Sequence, residues 1–187
     1  PWENYNSSIE TITVGSGITG IGPYAFEYCE NVETVTLPET LTALNANAFA
    51  SCSSLNNLLL PSSLKAFGHS EFNCGSLTDL YYLGTQERWD AVAYSNSVSN
   101  GAAAMTVHTL KEVPTTATCT QEGVQAHYAF DDTSVYGSKY TENGTVINNL
   151  QTVPALGHDY AETVVAPTCT EDGYTLHTCG RCGDEKT

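Results

Sequence analysis

The chain has 187 residues, of which 41% are hydrophobic and 14% charged, and 21 acids against 6 bases give a formal net charge of −15. Ten acids and two bases lie before Lys111, and eleven acids and four bases from Lys111 onward, so the charge is spread rather than held in a tail. Without clustered Lys or Arg, nucleic acid and anionic membrane surfaces are poor partners. No apolar run reaches the length of a membrane-spanning helix.

Residues 1–7 read as the tail of a preceding repeat or an irregular edge. From Ser8 the sequence becomes periodic. SIETITVGSGITGIGPYAFEYCE aligns with NVETVTLPETLTALNANAFASCS at an offset of 23 residues. Ile9 falls over Val32, Ile12 over Val35, Val14 over Leu37, Ile18 over Leu41 and Ile21 over Leu44. The Ala25-Phe26 pair falls over Ala48-Phe49, and Cys29 over Cys52. A third copy begins at Ser54, with Glu71 in the Ala slot and Cys74 one residue early. A period of this length predicts a solenoid, because a single unit cannot bury its own apolar face.

Each repeat opens with an alternating segment that predicts a strand, followed by a Gly or Pro turn and a short helical or 3₁₀ turn. Those last turns are expected at Pro23–Phe26, Ala46–Phe49 and Ser70–Phe72, with His69 as a turn residue. A fourth copy starts at Leu77 and then departs from the pattern. Residues 77 to about 110 read as the C-terminal cap, with Trp89 and Val92 as apolar plugs. Alternation turns Thr11, Thr13, Thr34, Thr36, Asn57, Leu59, Asp79 and Tyr81 outward, onto the concave side. A binder is expected to show an exposed patch centred on Leu59, Asp79 and Tyr81, whereas Tyr24, Tyr28 and Tyr81 taken singly read as packing residues before they read as a binding platform. Cys29, Cys52 and Cys74 close successive repeats and read as buried thiols acting as small hydrophobes.

These units resemble the BspA-like class of bacterial leucine-rich repeats, which share their spacing, the Ala-Phe pair and the Cys slot. YYLGTQERWDAV (81–92) resembles the ending common after such arrays. The resemblance implies a mainly β, right-handed solenoid with short helical turns over residues 1–110. It also implies an extracellular or cell-surface location and non-enzymatic adhesion through the concave face.

After Leu110 the composition shifts to Thr, Val and Tyr. VPTTATCTQEGVQAHYA (113–129) aligns with VAPTCTEDGYTLHTC (165–179) at an offset of 50 residues. This predicts a small β module over 111–160 and the start of a second over 161–187, joined through Pro154–Tyr160. Gln121-Glu122-Gly123 and Glu171-Asp172-Gly173 read as hairpin turns with left-handed Gly, and Asn143-Gly144 as another. These stretches resemble the Thr-rich modules, with A-T-C-T, C-x-x-C-G and A-L-G-H-x-Y motifs, found in tandem in bacterial surface proteins.

Cys179-Gly-Arg-Cys182-Gly is the one motif with metal chemistry, since two thiolates at this spacing can grip zinc. His158 and Cys169 are candidate partners, giving a Cys₃His set of His158, Cys169, Cys179 and Cys182. A straight hairpin would hold Cys169 far from Cys179, because a strand rises ~3.3 Å per residue. A disulfide among the tail cysteines and free thiols remain open alternatives. The first module has Ala129, Phe130, Asp131 and Asp132 where the second has its knuckle, so its fold is not expected to depend on metal.

No nucleophile triad or phosphate loop stands out, and no enzyme is expected. The chain reads as a monomeric piece of a longer surface protein, with any signal or anchor elsewhere. Its expected partner is a host or bacterial surface protein or glycan. The alternative is a spacer that presents another domain.

Overall fold

The computed structural model describes residues 3–45, 47–67, 72, 74–92, 105–114, 117–131 and 135–187. His69, Ser70 and Glu71 of the third repeat's expected turn, and Asp132, lie outside the described residues. After a 3₁₀ turn at Glu3–Ser8 come β1 (Thr11–Thr13), β2 (Gly20–Ile21), β3 (Thr34–Thr36) and β4 (Ala43–Leu44). Next are β5 (Asn57–Leu60), β6 (Ala66–Phe67), β7 (Asp79–Tyr82), the helix α1 (Gln86–Asp90), β8 (Thr106–Thr109) and β9 (Lys111–Val113). The remainder holds β10 (Gly123–Val124), β11 (His127–Ala129), β12 (Lys139–Tyr140), β13 (Val146–Ile147) and β14 (Thr152–Val153). The last three are β15 (Tyr160–Val165), β16 (Tyr174–Cys179) and β17 (Glu185–Lys186).

The chain forms two compact units. One comprises Pro1–Glu112 and His127–Ile147, the other Val113–Ala126 and Asn148–Thr187. This corrects the boundaries expected after residues 110 and 160. The reason lies in the aromatic side chains of 127–147: Phe130 and Tyr140 share a buried cluster with Tyr81, Leu83 and Leu110.

The first unit is a β-solenoid of stacked coils. On one side β1 pairs in parallel with β3, Thr11 against Thr34 and Thr13 against Thr36, and β7 lies between β5 and β8. On a second side β2, β4 and β6 form a parallel ladder, Gly20 against Ala43 and Ala43 against Ala66. Parallel neighbours need a long crossover, and here one full coil supplies it. The step from β5 to β7 pairs Asn57 with Asp79, one residue shorter than the steps before it. That matches the early arrival of Cys74.

The third side is a column of turns. Phe26 N–H donates to the Ala48 carbonyl (2.8 Å), Tyr28 N–H to Ala50 (2.9 Å) and Ser51 N–H to Phe72 (3.0 Å). Spending these amides on neighbouring coils stops the turns from running on as helix. The geometry puts Tyr24, Tyr28, Asn47 and Ser51 in the left-handed region, with φ of 56°, 60°, 55° and 62°. Tyr24 and Asn47 are equivalent positions in consecutive repeats, as are Tyr28 and Ser51. A non-glycine residue there costs on the order of 1 kcal/mol, offset by the hydrogen bonds between coils.

Inside, Ile, Leu and Phe from every coil form one continuous core, with Leu41, Phe49, Leu55, Leu60 and Phe67 at 0% exposure. Phe26 stacks on Phe49 with centroids 5.3 Å apart. Trp89 of α1 meets Phe67 and Tyr82, and both Trp89 and Val92 are buried as end plugs. Cys29, Cys52 and Cys74 are fully buried. The Cys52 thiol donates to the Phe26 carbonyl (3.3 Å) and the Cys74 thiol to the Phe49 carbonyl (3.0 Å). Burial pushes the Cys29 thiol above its ordinary value, which keeps it protonated.

In the second unit β15 and β16 form an antiparallel hairpin, Tyr160 against Cys179 and Val165 against Tyr174, with β17 beside β16. β10 pairs with β14. The offset of 50 is structural. Thr118 N–H bonds the Gln121 carbonyl (2.9 Å) while Gln121 N–H bonds the Thr118 hydroxyl (3.0 Å), and Thr168 and Glu171 repeat both bonds at 2.9 and 3.0 Å. Gly123 and Gly173 are not left-handed, contrary to expectation. They are required because a Cβ would meet the backbone nitrogen of Ala117 at 2.4 Å or of Pro167 at 2.8 Å. Gly144 does turn at φ 80°, closing the β12–β13 hairpin of the first unit.

Because Ser51 holds a left-handed φ with a Cβ, Ser51→Gly is expected to stabilise the first unit by about 0.5–1 kcal/mol. Urea unfolding of the wild type and variant checks this, and an unchanged or lower midpoint would refute the strain.

Candidate functional site

The strand face of the solenoid carries the expected ligand ladder, and the structure splits it in two. Thr11, Thr13, Thr34 and Thr36 alternate with the inward Ile12 and half-buried Val35, and all four threonines are exposed. Asn57 and Leu59 are half-buried on β5. On β7, Asp79 is half-buried and Tyr81 is 1% exposed. Tyr81 is therefore not the centre of an exposed patch. Its ring stacks on His108 (4.5 Å) and meets Phe130 and Tyr136 edge-on at 5.2 and 4.8 Å.

The cover comes from 127–147, whose aromatics the repeat pattern does not mark as partners of the ladder. Leu59 packs against the same cluster, as does Tyr136. The Tyr136 hydroxyl donates to Asn57 Oδ1 at 2.8 Å, and Asp79 is held by His108 Nε2 at 2.7 Å. Arg88 bonds Asn143, and the Ser62 hydroxyl donates to the Asn143 carbonyl at 2.8 Å. The apolar end of the ladder is thus a second core, its polar groups consumed internally.

Where the cover meets the open threonines it leaves a hollow of ≈ 190 Å³. Thr34, Thr36, Leu37, Leu59, Pro61 and Tyr136 are among its walls. Hydroxyls on one side and apolar surface on the other suit a sugar ring or a small side chain.

With the repeats, the cap and the Cys column in place, the family can be stated. The sequence matches the BspA type leucine rich repeat region in six copies over residues 4–118. The chain belongs to this family. The match runs beyond the three coils and cap read from the pattern, taking in residues on both sides of them. BspA-type repeat proteins are of surface and adhesion type, and such arrays are generally non-enzymatic interaction scaffolds. No characterised protein and no solved structure matches the chain.

In the second unit the Cys/His groups are redistributed relative to expectation. Cys119, His158, Cys179 and Cys182 gather with their Sγ and ring nitrogen atoms all within 4.8 Å of one another. Cys169 is not among them. It is exposed in the turn that precedes β16, while Cys179 ends that strand, so the hairpin's length separates the two. Cys119 takes its place because Leu156 N–H and Gly157 N–H bond the Thr118 and Cys119 carbonyls (2.8 and 3.0 Å). Those bonds lay the first A-T-C-T turn against the A-L-G-H segment.

The C-x-x-C loop is tightly made. Gly183, at φ 73°, donates to the Cys179 carbonyl at 2.8 Å, and Cys179 N–H bonds the Asp184 carbonyl at 2.8 Å. Burial acts to raise the Cys179 thiol, but backbone amides of Asp159, Arg181 and Cys182 and the His158 ring bring it down to about 5. Cys119 is pushed up to about 12, first by its contact with Cys182 and then by burial.

Because Tyr81 is core rather than surface, Tyr81→Ala is expected to cost about 3 kcal/mol of stability. Chemical denaturation measures this directly, and a loss below about 0.5 kcal/mol, the surface range, would return Tyr81 to the surface.

Proposed function

We propose that the chain is an extracellular, cell-surface binding module, and that Thr11, Thr13, Thr34, Thr36 and the adjoining hollow form its recognition surface. The observation that carries this reading is the contrast along one face: the apolar end is sealed by 127–147, and the hydroxyl-bearing end is left open beside a partly apolar hollow. A rigid ladder of side chains offers an extended surface without moving parts. The net charge of −15 disfavours polyanions, so a surface protein or a neutral glycan of a host or another bacterium fits best. No catalytic role is assigned.

A spacer function is the second reading. It is favoured by the same burial of Tyr81 and Leu59, which removes the aromatic patch that most often anchors a binder.

The two readings separate on a panel of matrix proteins, mucin and neutral glycans probed with the full chain and with a Thr13→Lys/Thr34→Lys variant. Both sites are exposed strand positions, so the variant keeps its fold, checked by circular dichroism. Saturable binding that falls more than about tenfold, some 1.4 kcal/mol, in the variant supports recognition by the threonine face. Binding indifferent to the substitutions, or none across the panel, favours the spacer.

A further inference from the structure

We propose that Cys119, His158, Cys179 and Cys182 form a structural zinc site that draws its ligands from two successive modules. Cys119 belongs to the first A-T-C-T turn. His158 and the knuckle belong to the segment that follows it by some forty residues or more.

Two of the distances match edges of a zinc tetrahedron. Cys119 Sγ lies 3.7 Å from Cys179 Sγ, and Cys182 Sγ lies 3.5 Å from His158 Nδ1. Zinc with Zn–S of about 2.3 Å and Zn–N of about 2.0–2.1 Å gives tetrahedral edges of about 3.8 Å for S···S and about 3.6 Å for S···N. A disulfide would need the sulfurs at about 2.05 Å. Three thiolates and one imidazole, with no fifth donor in the group among the described residues, are the ligand set of structural zinc, and this softness selects against Mg²⁺ and Ca²⁺.

The surroundings are those of a metal knuckle. The Asp159 amide points at Cys179 Sγ from 3.4 Å, the pattern by which backbone N–H groups steady a ligated thiolate. The His158 ring is stacked on Tyr160, centroids 5.1 Å apart, and the Tyr160 hydroxyl donates to Asp184 Oδ2 at 2.6 Å. Arg181 bonds the carbonyls of Leu156 and Gly157, fixing the knuckle to the segment that bears His158. Cys119 and Cys179 are buried while His158 and Cys182 face solvent, which leaves an entry path for the ion.

The site also accounts for a puzzle in the repeat. The first module has no knuckle, yet its cysteine is buried, because that cysteine serves the knuckle of the next. Cys169 sits in an equivalent turn, with the same Thr hydrogen bonds, but is exposed. It is a built-in control.

The test uses the full chain, reduced and stripped of metal, titrated with Co²⁺ and then Zn²⁺. The expected result is one Co²⁺ per chain with tetrahedral d–d and sulfur-to-cobalt bands, both bleached by Zn²⁺. Cys119→Ser should weaken binding by more than about tenfold, and Cys169→Ser should leave it unchanged. If Cys119→Ser fails to fold, Cys119→His keeps a donor in place and should bind with about one third less charge-transfer absorbance, one of three thiolates being lost. Equal effects of Cys119→Ser and Cys169→Ser, a Co²⁺ spectrum unaltered by Cys119→His, or no stoichiometric binding would overturn the proposal. So would a Cys119–Cys179 disulfide in zinc-free protein purified without chelator, read from intact and peptide masses.

Discussion

One coil of this solenoid cannot shield its own apolar edge, and the first unit is organised by that constraint. Leu41 is buried because coils lie on both sides of its own, and its neighbours Ile18 and Leu64 show the gradient. Ile18, in the first coil, is 46% exposed, whereas Leu64, further in, is 3% exposed. The backbone obeys the same rule. Amides and carbonyls of each turn bond the adjacent coil, so removing one coil would orphan a row of polar groups as well as expose a row of side chains. Thr40, Thr42, Asn45 and Ser63 reinforce this by bonding carbonyls of the preceding coil.

Such an array needs ends and edges. At the C-terminal end, α1 turns Trp89 into the core against Phe67 and Tyr82, and β8 extends the strand ladder by one further rung. The strand face is closed at the same end by a different device. Phe130 and Tyr136 bring their rings onto Tyr81, Tyr140 packs against Phe130, and Asn143 accepts bonds from Arg88 and Ser62. Leu59 and Tyr81, which would be poor company for water, become interior. What stays open is hydroxyl-rich and suited to recognition by hydrogen bonding rather than by apolar contact.

The second unit meets its size problem differently. Its hairpin buries little: most of β15 is exposed, and Cys179 is the one buried residue of β16. A unit with so small a core gains from a cross-link, and the proposed zinc site would supply one where the three sulfurs and the imidazole converge. The knuckle's glycine, the Asp159 amide and the Arg181 clamp are all local to that point.

The repeat period, the inward Ile and Leu positions, the Cys column, the plugs Trp89 and Val92 and the outward threonines were legible in the sequence because they are local and repeated. Burial of one face imposes a pattern on every coil, and the pattern is what a sequence displays. Likewise the C-x-x-C-G loop announces its chemistry through spacing alone. Two features were decided only by tertiary structure. The cover over Tyr81 and Leu59 comes from residues some fifty or more positions away, whose aromatics carry no period. The thiol gathered to the knuckle is Cys119 rather than Cys169, because a strand's rise separates Cys169 from Cys179 while main-chain bonds from Leu156 and Gly157 bring Cys119 in. Both turns carry the same motif. Only the long-range pairing of backbone, which no local pattern encodes, distinguishes the cysteine that is gathered in from the one left in solvent.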